Sequence, residues 1–327
     1  MGVLYLLSKG SNAKKDGGRI VLEKDDKLIG RMPIRSLTSV VVGPFANITT
    51  AAVYACLEAK IPIFFLDKKC CLLGQLADDQ AALPIIRKQF AAFEDPALSL
   101  QLAKSVVGEK IKNQYRLLKS YTRTVQNQQL IKSLNALRAE QSKVKNCETE
   151  DSLRGIEGSC ARNYFTGFGA LLDNRTWHFK GRTRPATDPV NALLNFGYAF
   201  LEREVRIAII GQGMDARIGF LHSNNSRKDS LVFDLMELFR QPVIDRFVLN
   251  LLRLQTYKLQ DFEKNDEGEC RLTDDARMLW FQRYEDYMEK PYQEYDGLSP
   301  RQLIQKRVEK FRQELLYPLK SSRLREN

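Results

Sequence analysis

The stretch Leu153-Arg-Gly-Ile-Glu-Gly-Ser-Cys-Ala-Arg-Asn-Tyr-Phe-Thr-Gly-Phe168 decides how the second half of the chain is read. Leu153, Ile156, Cys160, Tyr164 and Phe168 recur at intervals of three and four, the period of one helix face turned to a core. Glu157 falls inside that apolar stripe. A carboxylate there loses its water, and the loss must be offset by a cation or by hydrogen bonds. Two readings follow: an ion pair with a neighbouring arginine, Arg154 or Arg162, or a metal ion.

Upstream, the chain reads differently. Val3–Leu7, Arg19–Glu23, Lys27–Gly30, Ser39–Gly43, Ile61–Leu66 and Leu72–Leu76 are short apolar runs. Turn-formers such as Asp16-Gly17-Gly18 separate them, which is strand patterning. Thr49 or Thr50 is placed to cap a short helix over Ala51–Ala59. From about residue 85 the period turns helical, through Ile85–Phe93, Leu98–Val125 and Gln128–Lys143. Asp188-Pro189 opens a helix that runs to Ile210, with Gly211 as its terminator, and Thr273 caps one that reaches Met288. Asp261–Glu269 reads as an acidic loop, and the tail from Lys306 as basic and frayed at its end. The fold expected is α+β. A small β-rich domain at 1–80 and a linker at 81–90 precede a larger, all-helical, metal- and DNA-binding domain at 91–327.

Composition narrows the partners. In 327 residues, 51 Lys and Arg face 40 Asp and Glu, a formal net charge of +11. That excess favours a polyanion through release of its condensed counterions, so nucleic acid is the expected partner. No apolar run approaches the roughly 18–20 residues that span a bilayer. The first residues lack the pattern of a signal peptide. The cysteines at 56, 70, 71, 147, 160 and 270 form no CxxC pair, so a disulfide framework or zinc knuckle is not expected. A cytoplasmic protein is expected.

A second segment supplies further ionisable groups: Gly219-Phe-Leu-His222, followed by Ser230-Leu-Val-Phe-Asp-Leu-Met-Glu-Leu-Phe-Arg240. Asp234 and Glu237 are three apart on a helix whose core face is Val232, Leu235, Met236 and Phe239. Pro242 breaks that helix or starts the next one. Glu157, His222, Asp234 and Glu237 together make a hard-metal donor set. Carboxylates with one imidazole and no thiolate select Mg²⁺ or Mn²⁺. His178 has no partner at zinc-site spacing and reads as a loop or packing residue. Between the two segments, Lys180-Gly-Arg-Thr-Arg-Pro185 reads as a phosphate clamp through Arg182 and Arg184, or as an exposed loop. Arg227 and Arg240 add positive charge beside the carboxylates. The basic face of Lys112–Lys119 reads as a solvated helix surface, with a DNA-contacting face as the alternative.

Four ordered motifs carry a family resemblance: Leu153-Arg-Gly-Ile-Glu-Gly158, Gly181-Arg-Thr-Arg-Pro-Ala-Thr-Asp-Pro-Val-Asn-Ala-Leu-Leu194, Gly219–His222 and Ser230–Glu237. Together with Asn47-Ile-Thr-Thr50 and Ile61–Asp67, they make the chain similar over nearly its whole length to CRISPR-associated protein one, the integrase-endonuclease of spacer acquisition. The resemblance implies metal ligands at Glu157, His222 and Glu237, with Asp234 a neighbour or alternative ligand. It also implies a β-domain that forms a homodimer and a small partner, CRISPR-associated protein two, completing a heterohexamer. The reaction implied is attack by the 3′-hydroxyl of a captured double-stranded DNA fragment on a phosphodiester of the leader-proximal repeat. Two other readings use the same residues: a free-standing metal-dependent nuclease or resolvase, and a non-catalytic DNA-binding assembly factor.

Overall fold

The computed structural model describes the chain except at residues 1, 26, 68–71, 78–82, 173–174, 222–228 and 318–327. It divides into two compact units, residues 1–80 and 81–327.

The first unit holds two four-stranded sheets. Its strands are β1 (Gly2–Leu6), β2 (Ser11–Asp16), β3 (Arg19–Lys24), β4 (Lys27–Pro33), β5 (Leu37–Val42), β6 (Asn47–Ile48), β7 (Ile63–Leu66) and β8 (Leu72–Leu76), with helix α1 (Thr50–Glu58) between β6 and β7. One sheet runs β1-β5-β7-β8, the other β4-β3-β2-β6. β5 and β7 pair in parallel, and α1 lies in the connection between them, as a parallel pair requires. The Thr49 hydroxyl accepts from the Ala52 amide and caps α1. Leu4, Leu6, Val40, Val42, Cys56 and Ile63 meet in the core with Ala13 and Ile20, which come from the other sheet.

The second unit is built on α2 (Leu83–Glu94), α3 (Pro96–Ser120), α4 (Gln128–Lys143), α5 (Glu150–Gly169), α6 (Pro189–Gly211), α7 (Ser230–Met236), α8 (Arg246–Arg253), α9 (Asp274–Glu289) and α10 (Pro300–Leu316). α3, α4 and α5 pack side by side, and α3 also touches α7. Gly167 permits the close approach of α5: a Cβ there would lie 2.7 Å from Leu118 on α3 and 2.9 Å from Ser133 on α4. α6 is the buried axis of the unit, packed against α7, α8 and α10. No described helix is long and apolar enough to cross a membrane. Cys56, Cys147, Cys160 and Cys270 are buried free thiols.

Several expectations need correction. The linker expected at 81–90 is helical from Leu83, because Ile85, Gln89 and Ala92 bury one face of α2. The second unit is not all-helical. The segment read as an acidic loop forms a hairpin, β9 (Phe262–Lys264) with β10 (Cys270–Leu272), which buries Cys270 and Leu272. α6 includes Gly211; the left-handed residue that ends it is Gly213, at φ 69°. Lys306 lies within α10, whose Ile304, Val308, Phe311 and Leu315 are buried. Pro242 does not break α7, which ends at Met236, but lies in the first turn of the next helical run, where Arg240–Asp245 is a π-helical turn leading into α8. Proline has no amide to offer the Leu238 carbonyl four residues back, and Asn113 Nδ2 on α3 fills that place at 2.9 Å. The Pro242 carbonyl is taken by the hydroxyls of Tyr287 and Tyr295.

Candidate active site

Glu157, at mid-helix on α5, and Glu237, which ends α7, converge on one nitrogen. That nitrogen is Nζ of Lys110 on α3, in contact with Glu157 Oε1 and 2.6 Å from Glu237 Oε2. Neither Arg154 nor Arg162 is the cation facing Glu157. Lys110 is 6% exposed and Glu237 4%, whereas Glu157 is half-buried. Burial pulls the Lys110 ammonium down, but the charges of Glu237 and Glu157 outweigh it and hold the group above its ordinary pKa. The second oxygen of Glu237 faces Arg240 Nε at 3.2 Å. That guanidinium is likewise lowered by burial and raised, on balance, by Glu237.

Asp234 is placed differently from the other two carboxylates. It is 1% exposed, and its Oδ2 accepts from the amides of Phe220 at 2.5 Å and Leu221 at 3.0 Å. Its position three residues before Glu237 puts it one turn back, where it grips the chain that leads to position 222. Arg154 Nη2 holds the same chain from α5, donating to the Leu221 carbonyl at 3.3 Å. Gly219 is required there: a Cβ would lie 2.7 Å from both Asp234 Oδ2 and the Ser230 backbone. On the far side, Asp229 is bound by Arg206 of α6, which also pairs with Glu202 at 3.0 Å. His222 and Arg227 themselves lie outside the described residues. Among the described residues, no three His, Cys, Asp or Glu side chains converge as a metal-binding group.

The predicted phosphate clamp is anchored in part. Arg182 donates to the Asn191 and Asn195 side-chain oxygens at 2.5 and 2.6 Å. Asn191 also donates to the Gly181 carbonyl at 2.8 Å, so the first two turns of α6 fasten the loop. The guanidinium of Arg182 lies 5.0 Å from the centre of the Tyr198 ring, and that of Arg240 lies 4.6 Å from it. One aromatic ring therefore collects two of the predicted DNA-binding cations beside Glu237. Arg184 and His178 are exposed. Sequence reasoning missed Tyr198, Asn191 and Asn195, although all three stand in or just beyond the quoted Gly181–Leu194 motif.

Below Tyr198 sits Asp245, from the π-helical turn, with no exposed surface. It accepts from the hydroxyls of Tyr198 at 2.6 Å and Tyr164 at 2.7 Å. Burial pushes its carboxyl up to about 6, against the lowering effect of those two hydrogen bonds and of Arg182 and Arg240. A cavity of about 650 Å³ opens elsewhere, between α3, the π-helical turn and α10, lined by Asn113, Phe239, Arg246 and Lys310. Leu238 lines it and Glu237 does not.

The donor chemistry suits a divalent ion. Two carboxylates on different helices already meet at one buried cation, with oxygen donors only and a second cation, Arg240, balancing their charge. Glu157 and Glu237 would supply oxygen ligands of the kind that Mg²⁺ or Mn²⁺ takes.

Comparison with known proteins bears on the family and the fold. The family model described as CRISPR associated protein Cas1 matches residues 4–286. A protein of Rhodospirillum rubrum named CRISPR-associated endonuclease Cas1 2 is 30% identical over 319 residues, covering 92% of each chain. The Cas1 protein of Thermotoga maritima superposes with a TM-score of 0.83 at 24% identity, covering 98% of this chain and 99% of that one. A chain of a Cas6-RT-Cas1–Cas2 complex matches with a TM-score of 0.79 at 25% identity, over 96% of this chain and 35% of its own.

Proposed function

This chain belongs to the CRISPR-associated Cas1 family, and from that premise we propose that it is a metal-dependent DNA endonuclease and integrase of spacer acquisition. The observation that carries the reading is the convergence of Glu157 and Glu237, from separate helices, on one buried point. These are the positions where the resemblance implies metal ligands. His222 is the third ligand proposed, and Mg²⁺ or Mn²⁺ the ion. Asp234 acts as the support of the segment that bears His222, since its oxygen is bonded to the two amides just before it.

The reaction is a transesterification. The 3′-hydroxyl of a captured fragment forms a new P–O bond as the P–O3′ bond of the repeat breaks, and the proton lost by one oxygen is regained by the other through solvent. When bound, the ion stabilises the charge that builds on the phosphoryl oxygens and lowers the pKa of the attacking hydroxyl. The chain supplies the rest. Glu157 and Glu237 hold the ion, while Arg182 and Arg240, fixed on Tyr198, grip the DNA backbone and keep the scissile phosphate in line. With water as the nucleophile, the same arrangement hydrolyses DNA, in keeping with the name endonuclease carried by the relative.

Two partner assignments accompany this reading. The first unit forms a homodimer: its edge strands β4 and β8 carry the exposed apolar side chains Leu28, Ile29 and Leu73. The second partner is the small CRISPR-associated protein two, supported by the Cas1–Cas2 content of the similar complex.

The test is strand transfer into a supercoiled plasmid bearing a leader and repeat, with labelled duplex fragments, Mn²⁺ or Mg²⁺, and the small partner present or absent. Joined product from the wild type that disappears in His222→Ala is expected. Cleavage without joining would make the protein a nuclease. DNA binding without chemistry would leave an assembly factor.

A further inference from the structure

Lys110 has no part in the mechanism above, yet it occupies the point on which that mechanism depends. It lies in the buried stripe of α3, between Val106 and Gln114, with its ammonium against both Glu157 and Glu237. A lysine is rarely this buried unless it is paired, and here the pair consists of the two carboxylates assigned to the metal. The inference therefore rests on the reading of Glu157 and Glu237 as ligands.

We propose that Lys110 is a built-in counter-cation that holds the two carboxylates together in the ion-free protein and withdraws from them when a divalent ion is bound. Space and charge both require this. An ammonium at hydrogen-bond distance from two carboxylate oxygens fills the gap between them, so the gap serves one directly bound cation at a time. Without any cation, two carboxylates at one partly buried point would repel and drive α5 and α7 apart. Lysine suits such a role better than arginine. Its ammonium is a compact charge on a flexible stem, which can swing away while the stem stays packed, whereas a guanidinium would fork both carboxylates and stay. Arg240 remains on the other oxygen of Glu237, so that carboxylate keeps its orientation through the exchange. The site is thus assembled before the ion arrives, at the cost of a weaker hold on it.

The test compares the full chain with Lys110→Met and Lys110→Arg, measuring Mn²⁺ affinity from the electron paramagnetic resonance signal of free ion and thermal midpoints in chelator and in Mn²⁺. Lys110→Met should bind Mn²⁺ at least roughly tenfold more tightly, because a competing charge a few ångströms away is gone. Its midpoint should fall below wild type in chelator and recover more than wild type does when Mn²⁺ is added. Lys110→Arg should bind Mn²⁺ more weakly than wild type while keeping the ion-free midpoint. Unchanged Mn²⁺ affinity in both variants would overturn the proposal. If Lys110→Met does not fold in chelator, its folding in Mn²⁺ supports the proposal, and the Arg variant decides on its own. Glu157→Ala separates the two levels. If it leaves Mn²⁺ binding intact, the metal assignment itself fails; if it abolishes binding while the Lys110 variants match wild type, only the role of Lys110 fails.

Discussion

At the scale of single residues, the site consists of charges placed where apolar side chains are expected. Glu157 was legible because it interrupts a helical stripe, and Lys110 interrupts one in the same way: Ala103, Val106, Val107, Ile111, Leu117 and Leu118 surround it on α3. It was missed because α3 is rich in lysine, and a basic residue on such a helix reads as part of its wet face. Burial, which the sequence does not display, separates Lys110 from exposed Lys112. The ring of Tyr198 was invisible for a related reason, since nothing in a sequence marks one buried tyrosine as the seat of two guanidiniums. Two predictions belong here. Glu237→Gln keeps the shape of the side chain and removes the charge of a proposed ligand, so strand transfer should fall by more than the ~10–100-fold typical of losing an outer partner of a ligand. DNA affinity in a binding titration should stay unchanged. Gly219→Ala should destabilise by about 1–3 kcal/mol through overlap with Asp234 and the Ser230 backbone, visible as a lower urea midpoint. An unchanged midpoint would mean that the segment before His222 is not packed as described.

At the scale of elements, strong periodicity marks the helices in the sequence, whereas polar residues that build structure leave no such mark. α4 and α9 follow the read boundaries within a few residues, and Thr273 caps α9 as read. β2 was missed because Ser11-Asn-Ala-Lys-Lys-Asp16 has almost no apolar content, although it is an inner strand that buries Ser11 and Ala13. The π-helical turn escaped because proline normally signals a break; the substitute donor, Asn113, lies 125 positions away. Asn113→Ala leaves the Leu238 carbonyl unpaired and should cost about 1–3 kcal/mol in chemical denaturation. The same turn carries Asp245, whose folded pKa of about 6 exceeds its unfolded value. The folded state therefore binds more protons between about pH 4 and 6. The contribution of this group is fully present below about pH 4 and is lost as pH rises through 6, a change of up to about 3 kcal/mol. Against Asp245→Asn, which does not titrate, the wild type should thus lose relative stability between pH 4 and 7 in urea melts. A constant difference across that range would refute the assignment.

At the scale of the whole molecule, fold class and family were legible because the two halves differ in period and the motifs keep their order. The surface proposed for the homodimer was not, because exposed apolar residues on edge strands look like ordinary strand residues until burial is known. Net charge acts at this scale too. With +11 on the chain and roughly six to ten phosphates neutralised, DNA affinity should fall about 10³–10⁵-fold between ~50 and ~200 mM salt in a fluorescence titration. A flat response would mean that the basic excess does not face DNA. Glu157 and Glu237 are proposed to hold the catalytic ion, and crystals grown with Mn²⁺ put that to the test through anomalous scattering at the manganese edge. One peak within ligand distance of both carboxylates and of His222 is the expected result, with the Lys110 ammonium displaced from between them. An ion bound elsewhere, or no peak at saturating Mn²⁺ with Lys110 still bridging the pair, would contradict it.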